Sequence, residues 1–199
     1  MMSHGSTPLT LAIAPDLNLQ VTPEQFASLA RTNTDLRLER TAQGDLIVNP
    51  PTGWETGKRN SNLNGELYLW WRNAGRPGHI FDSSTGFTLP NRAVRSPDAS
   101  WVSDERWNAR KTDPQETFAR VCPEFVVELR SGSDRLPPLQ AKMREYINNG
   151  TQLGWLLSPQ NRTVEIYRGA GETERLTNPK TLSGETTLSG FALELSWIW

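Results

Sequence analysis

Pro123-Glu124-Phe125-Val126-Val127-Glu128-Leu129 is the stretch on which the architecture turns. Its apolar residues occupy both sides of the two-residue strand period, so the spacing predicts a central strand covered on both faces. Glu128 shares a face with Val126. An ionised carboxylate there is costly unless it is paired or holds a metal. The alternative is a strand-end carboxylate that simply reaches water.

The flanks extend the pattern. Downstream, Leu139–Asn148 reads as a helix with Leu139, Met143, Tyr146 and Ile147 on one apolar face, stopped by Asn149-Gly150. Gly154–Leu157 and Val164–Tyr167 are strands around a turn at Pro159-Gln160-Asn161. The loose alternation of Glu185–Leu195 predicts an edge strand. Upstream, Asp98–Val102 is a strand opened just after Pro97, followed by a polar connection over Asp104–Gln115. His79-Ile80-Phe81 and Gly86–Leu89 are short strands, and Asn62–Asn73 is a helix ended at Gly75–Gly78. Pro50-Pro51-Thr52-Gly53 breaks the chain before it. Leu36–Arg40 and Leu46-Ile47-Val48 form a hairpin across Ala42-Gln43-Gly44-Asp45. Thr22-Pro23-Glu24-Gln25 starts a helix carrying Phe26, Leu29 and Ala30. The order is irregular, so the expectation is a mixed α/β domain, a central sheet with helices on its faces, rather than a doubly wound nucleotide fold. Neither glycine-rich phosphate-loop pattern occurs.

The chain of 199 residues is 36% hydrophobic and 22% charged, which suits one domain and fits disorder poorly. That domain is expected over 21–199, after a partly disordered tail over 1–20. No run approaches the ~18 apolar residues of a membrane helix. Leu9–Ala14 is apolar but short, with no basic stretch before it, and does not read as a signal peptide. Cys122 is the single cysteine, so no internal disulfide forms, and a reducing, cytoplasmic setting is expected. The only histidines are His4 and His79, which argues against a Cys-His nucleophile and against structural zinc. Cys122 is expected to be a buried structural thiol. A net charge of −1 argues against stoichiometric nucleic-acid coating.

Two strands that each bear one acid near an end, Asp98 and Glu128, suit a divalent cation. Magnesium takes hard oxygen ligands and keeps several waters, so two carboxylates and a phosphate oxygen suffice. Lys142 stands on the shoulder of the following helix, one turn from Tyr146. It either snorkels to solvent or turns to the sheet end, where it would offset charge in a phosphoryl transition state.

These residues resemble the PD-(D/E)XK nuclease superfamily and, more closely, the restriction endonuclease family called Uma-two. The likeness runs from Thr22 to Trp199. It rests on Leu38-Glu39-Arg40, Gly44–Val48, Asp82–Phe87, Ser96–Ser100, Pro123–Leu129 with Ser131 and Asp134, Lys142–Tyr146, Gly150 and Gly154–Leu157. The resemblance implies a four-stranded mixed core flanked by helices. It implies Asp98 and Glu128 as ligands of Mg²⁺, with Mn²⁺ an alternative. It gives Glu39 as a second-metal ligand or water-positioning acid, unless Glu39 is only a charged hairpin residue. The superfamily's usual lysine position holds Arg130, which stays protonated and cannot act as a base. Lys142 on the next helix takes the lysine's place, while Arg130 is a phosphate contact. Tyr146 either points at the site or packs.

The resulting expectation is a DNA endonuclease with no organic cofactor and no membrane partner. A catalytically inactive binding or scaffolding domain, or a phosphodiesterase acting on RNA, would carry the same fold. Cutting both strands of a duplex needs two sites, so a homodimer is expected, with the C-terminal sheet edge and Trp197 and Trp199 as interface material.

Overall fold

The computed structural model describes residues 19–110, 117–171 and 173–199. The tail over 1–18, including Leu9–Ala14 and His4, and residues 111–116 of the polar connection lie outside the described residues. Leu19 and Gln20, expected in the tail, already join the fold. Leu46 N donates to Leu19 O at 2.7 Å, and Gln20 bridges Asp45.

Helix α1 (Pro23–Thr32) starts at the expected capping box, with Thr22 and Gln25 side chains each accepting the other's backbone N–H. Strands β1 (Arg37–Arg40) and β2 (Leu46–Asn49) form the expected hairpin. Gly44 supplies the positive φ of +102° in its turn. Helix α2 (Trp54–Asn73) begins well before the expected Asn62. Its first two turns carry no apolar stripe to betray them. They are held by polar contacts instead, such as Arg59 Nε to Ile198 O at 2.9 Å.

Strands β3 (His79–Asp82), β4 (Phe87–Thr88), β5 (Val94–Arg95) and β6 (Ala99–Val102) follow. The polar connection opens with a helix that was not expected, α3 (Asp104–Ala109). Ser103 caps it by accepting from Arg106 N at 3.1 Å, and Asp104 and Glu105 suit its first turn. Then come β7 (Phe125–Leu129), α4 (Leu136–Asn148), β8 (Leu153–Ser158), β9 (Thr163–Arg168), β10 (Thr173–Thr177), β11 (Thr181–Ser183) and β12 (Ala192–Glu194). Helix α4 starts before the expected Leu139 and takes in Pro137 and Pro138, which a first turn tolerates.

The main sheet has the order β10-β9-β8-β7-β6-β3, two strands wider than the core the resemblance implies. Only β7 and β8 run parallel, joined by α4 as the crossover helix. A second sheet, β2-β1-β5-β4, packs beside α4. Strand β7 is central and buried on both faces, as its sequence predicts. Phe125 and Val127 meet Leu63 and Leu67 of α2, while Val126 meets Met143 and Tyr146 of α4. Gly154 sets the depth of α4, because an added Cβ would lie 2.5 Å from Met143 Cε.

The expected C-terminal edge strand is corrected. β12 pairs with β11 in a separate ribbon, and β10 forms the sheet edge. The alternation in 185–195 reflects Leu188, Phe191, Leu193 and Leu195 covering one face of the sheet, with Phe191 stacked on Trp155 at 5.8 Å.

Candidate active site

The antiparallel register of β6 and β7 brings the two acids together. Asp98 stands just before β6, where its N–H donates to Val127 O at 3.0 Å. Its Oδ2 accepts from Leu129 N at 2.8 Å, so the Asp98 carboxylate is tied to the end of β7, beside Glu128. Helix α2 adds two further holds. Asn60 Nδ2 donates to Asp98 Oδ1 at 3.3 Å, and Asn64 Nδ2 donates to Asp98 O at 3.0 Å. Asp98 and Glu128 are 7% and 4% exposed, so neither is a solvated strand end.

Lys142 does not snorkel outward. Its Nζ lies 2.8 Å from Glu128 Oε1 and 2.9 Å from Glu39 Oε1. Tyr146 turns to the same acid, its hydroxyl donating to Glu128 Oε1 at 3.0 Å. Glu39 enters the cluster from β1. Its oxygens accept from Lys142, from Ser96 N at 3.3 Å and from Arg95 at 3.2 Å. Arg95 in turn donates to Glu145 at 2.6 Å. Glu39 is therefore the shared counter-ion of two cations. Arg130 stays apart: its Nε donates to Asp134 O at 3.1 Å, and it does not line the cleft that Asp98, Glu128 and Lys142 line.

The burial of this network decides its protonation. Burial, reinforced by the charges of Asp98 and Glu39, pushes the Glu128 carboxyl up to about 7 against the pull of Lys142. Burial would lower Lys142, but Glu128 and Glu39 overcome it and hold the ammonium above the ordinary lysine range. Burial would raise Glu39, yet Lys142 and Arg95 win and keep its carboxyl low. Lys142 is thus held as an ammonium in this arrangement. Burial and Glu128 push Tyr146 well up, leaving a neutral phenol that donates.

The cleft holds about 460 Å³ and has Arg37, Trp54, Glu55, Asp98, Glu128 and Lys142 on its walls. A larger hollow of about 620 Å³ lies between α1 and strands β4 and β5 and contains none of these acids. Among the described residues, three buried polar atoms without partners sit at the cleft or beside Asp98: Arg37 Nε, Asn49 Nδ2 and Asn60 Oδ1.

Sequence reasoning missed Arg37, Trp54, Asn60, Asn64, Arg95 and Glu145. A signal was present for the asparagines. Asn60 and Asn64 stand four apart in a helix, where asparagine is a poor helix former and wants a partner. The arginines and Glu145 come from elements distant in sequence and carry no local pattern.

The sequence profile of the Uma2 family, described as "Putative restriction endonuclease", matches residues 23–196. The chain belongs to this family. Among solved structures, the Uma2 chain matches the crystal structure of a "putative nuclease belonging to DUF820" from Anabaena variabilis. The match has a TM-score of 0.72 at 22% identity and covers 90% of this chain and 99% of the other, which establishes the shared fold. A search of curated proteins gives no match. Membership of Uma2 supports a nuclease, a hydrolase acting on nucleic acid. Among the described residues no helix is long and apolar enough to cross a membrane.

Proposed function

We propose that this chain is a Mg²⁺-dependent endonuclease that hydrolyses phosphodiester bonds in DNA, with Mn²⁺ able to substitute. The observation that carries the reading is the junction of Asp98, Glu128 and an ammonium, Lys142, at one sheet end that opens into a cleft.

The donor set fits the ion. Asp98 Oδ1 has a long hydrogen bond from Asn60 and a loose ion pair with Arg37 at 3.9 Å, and Glu128 Oε2 accepts no hydrogen bond among the described residues. Asn60 Oδ1 is an unused acceptor beside them. Among the described residues no three His, Cys, Asp or Glu side chains form a metal cage. A small open site suits Mg²⁺, which binds through one or two carboxylates and keeps its waters. Glu39 is left out of the ligand set because its oxygens are already taken. When bound, the ion would polarise a phosphate oxygen and acidify a water.

The chain's own groups supply the rest. Tyr146 fixes Glu128 Oε1 and leaves Oε2 free. Lys142 presents its ammonium where negative charge builds on the phosphoryl oxygens, and burial strengthens that attraction. Glu39 and Glu128 hold Lys142 in place, and Arg95 in turn holds Glu39. Arg37, on the cleft wall, is placed to contact a phosphate, and Arg130 is demoted to an outlying contact. Cutting both strands of a duplex would take two copies, and Trp197, 61% exposed, is interface material for a homodimer.

A nuclease-fold binding domain without chemistry is the second reading, favoured by Arg130 at the superfamily's usual lysine position and by the net charge of −1. Incubation with supercoiled plasmid separates the two. Nicked or linear product with Mg²⁺ or Mn²⁺, and none with EDTA, supports hydrolysis. Plasmid and single-stranded DNA both left intact with both ions contradict it. Parallel incubation with RNA tests the phosphodiesterase alternative.

A further inference from the structure

We infer that Trp54 is a stacking platform for an unpaired base, so that the cleft selects single-stranded or locally unpaired DNA over duplex. The inference rests on the nuclease reading of the same cleft and deepens it.

Six of the eight tryptophans are buried or half-buried, as an aromatic side chain normally is. Trp54 is 79% exposed and yet lies on the wall of the cleft that holds Asp98, Glu128 and Lys142. Its place in the fold ties it to the site. Trp54 is the first residue of α2, whose Leu63 and Leu67 are fully buried and whose Asn60 grips Asp98. Six residues separate Trp54 from Asn60, about 9 Å along the helix axis. A base flanking a phosphate at Asp98 is within reach of the indole.

Charge points to the same substrate. The cleft carries Arg37 and Lys142 against Glu55, Asp98, Glu128 and Asp134, and Lys142 is already paired. Such a lining neutralises phosphates poorly, whether on a duplex or a single strand, so binding here must draw on something besides charge. Stacking on an aromatic ring is independent of charge and sequence, but it needs an exposed base face, which a duplex hides. The cleft volume of about 460 Å³ is that of a pocket for a nucleotide-sized ligand.

The test measures binding of short fluorescein-labelled DNA, single-stranded or annealed, by anisotropy in Ca²⁺, beside cleavage of both forms in Mg²⁺. Parent protein should bind the single strand at least ~10-fold more tightly than the duplex. Trp54→Ala should weaken single-strand binding about 5- to 150-fold, the loss expected for one stacked base. Its duplex binding should stay unchanged, and Trp54→Phe should restore most of the affinity. In cleavage the Ala variant should raise KM and spare kcat. Trp54 is exposed, so the substitution does not threaten the fold. Equal single-strand binding by parent and Trp54→Ala, a duplex preference, or no binding of either DNA overturns the inference. Trp54-dependent binding by a protein that cuts nothing would uphold stacking and sink hydrolysis. Cleavage indifferent to Trp54 would do the reverse.

Discussion

Glutamine at position 39 keeps the shape of Glu39 and removes its charge, which separates two roles for this residue. Glu39 is 3% exposed and accepts from Lys142, Arg95 and Ser96 N. Removing one partner of a buried ion pair costs about 3–5 kcal/mol. Here both cations keep another carboxylate, Arg95 with Glu145 at 2.6 Å and Lys142 with Glu128 at 2.8 Å. The lower end, about 3 kcal/mol, is therefore expected. For a chain of this length that is a fall of about 6–12 °C in melting temperature. The pH dependence has a definite sign. Lys142 and Arg95 hold the Glu39 carboxyl below the ordinary value of 4.5, so its stabilisation is present above pH 4.5 and lost as pH falls below it. The gap between parent and Glu39→Gln should be full at neutral pH and should narrow in acid. Circular-dichroism melts in metal-free buffer measure the gap, and calorimetric titration with Mn²⁺ measures the metal site, whose affinity should stay within about threefold of the parent. A variant that melts with the parent but loses Mn²⁺ affinity would refute the counter-ion role and make Glu39 a metal ligand.

Other outcomes follow from the same geometry. Lys142→Met should fold and bind Mn²⁺ but cut DNA about 10²–10³-fold more slowly, the usual loss for one transition-state donor; an unchanged single-turnover rate would contradict its role. Glu128, pushed up to about 7, must shed a proton before it can ligate, so Mn²⁺ affinity should rise across that value. The same elevated value means that the metal-free fold loses stability as pH rises from 4.5 through about 7. A flat calorimetric profile over that window would count against both statements. Cys122 is buried and its thiol pushed up to about 11, so iodoacetamide at pH ~8 should label the protein only after denaturation; rapid labelling of the native protein would show the assignment to be wrong.

Local pattern carried most of the architecture. The capping box at Thr22, the hairpin turn at Gly44 and the two-faced strand Phe125–Leu129 are short-range chemistry, and each lies where its residues direct. Elements held by long-range polar contacts were not legible. The first turns of α2 have no apolar face, and their reason to be helical is the grip of Arg59 on Ile198 and of Asn60 and Asn64 on Asp98. The C-terminal alternation was visible, but not whether it reported a sheet edge or a covering face, because both have a period of two. At the site, Asp98, Glu128 and Lys142 could be read from strand ends and a helix shoulder. That Glu39 is the shared counter-ion of two cations could not, since it depends on Arg95 reaching across from β5.

The central claim is tested most directly by plasmid cleavage in Mg²⁺ or Mn²⁺ with the parent, Asp98→Ala and Lys142→Ala run side by side, each first shown to be folded. The parent should nick or linearise the plasmid, and neither variant should. A parent that leaves both the plasmid and a single-stranded circle intact in both metals, or equal cleavage by the variants, would contradict a phosphodiesterase site at Asp98, Glu128 and Lys142.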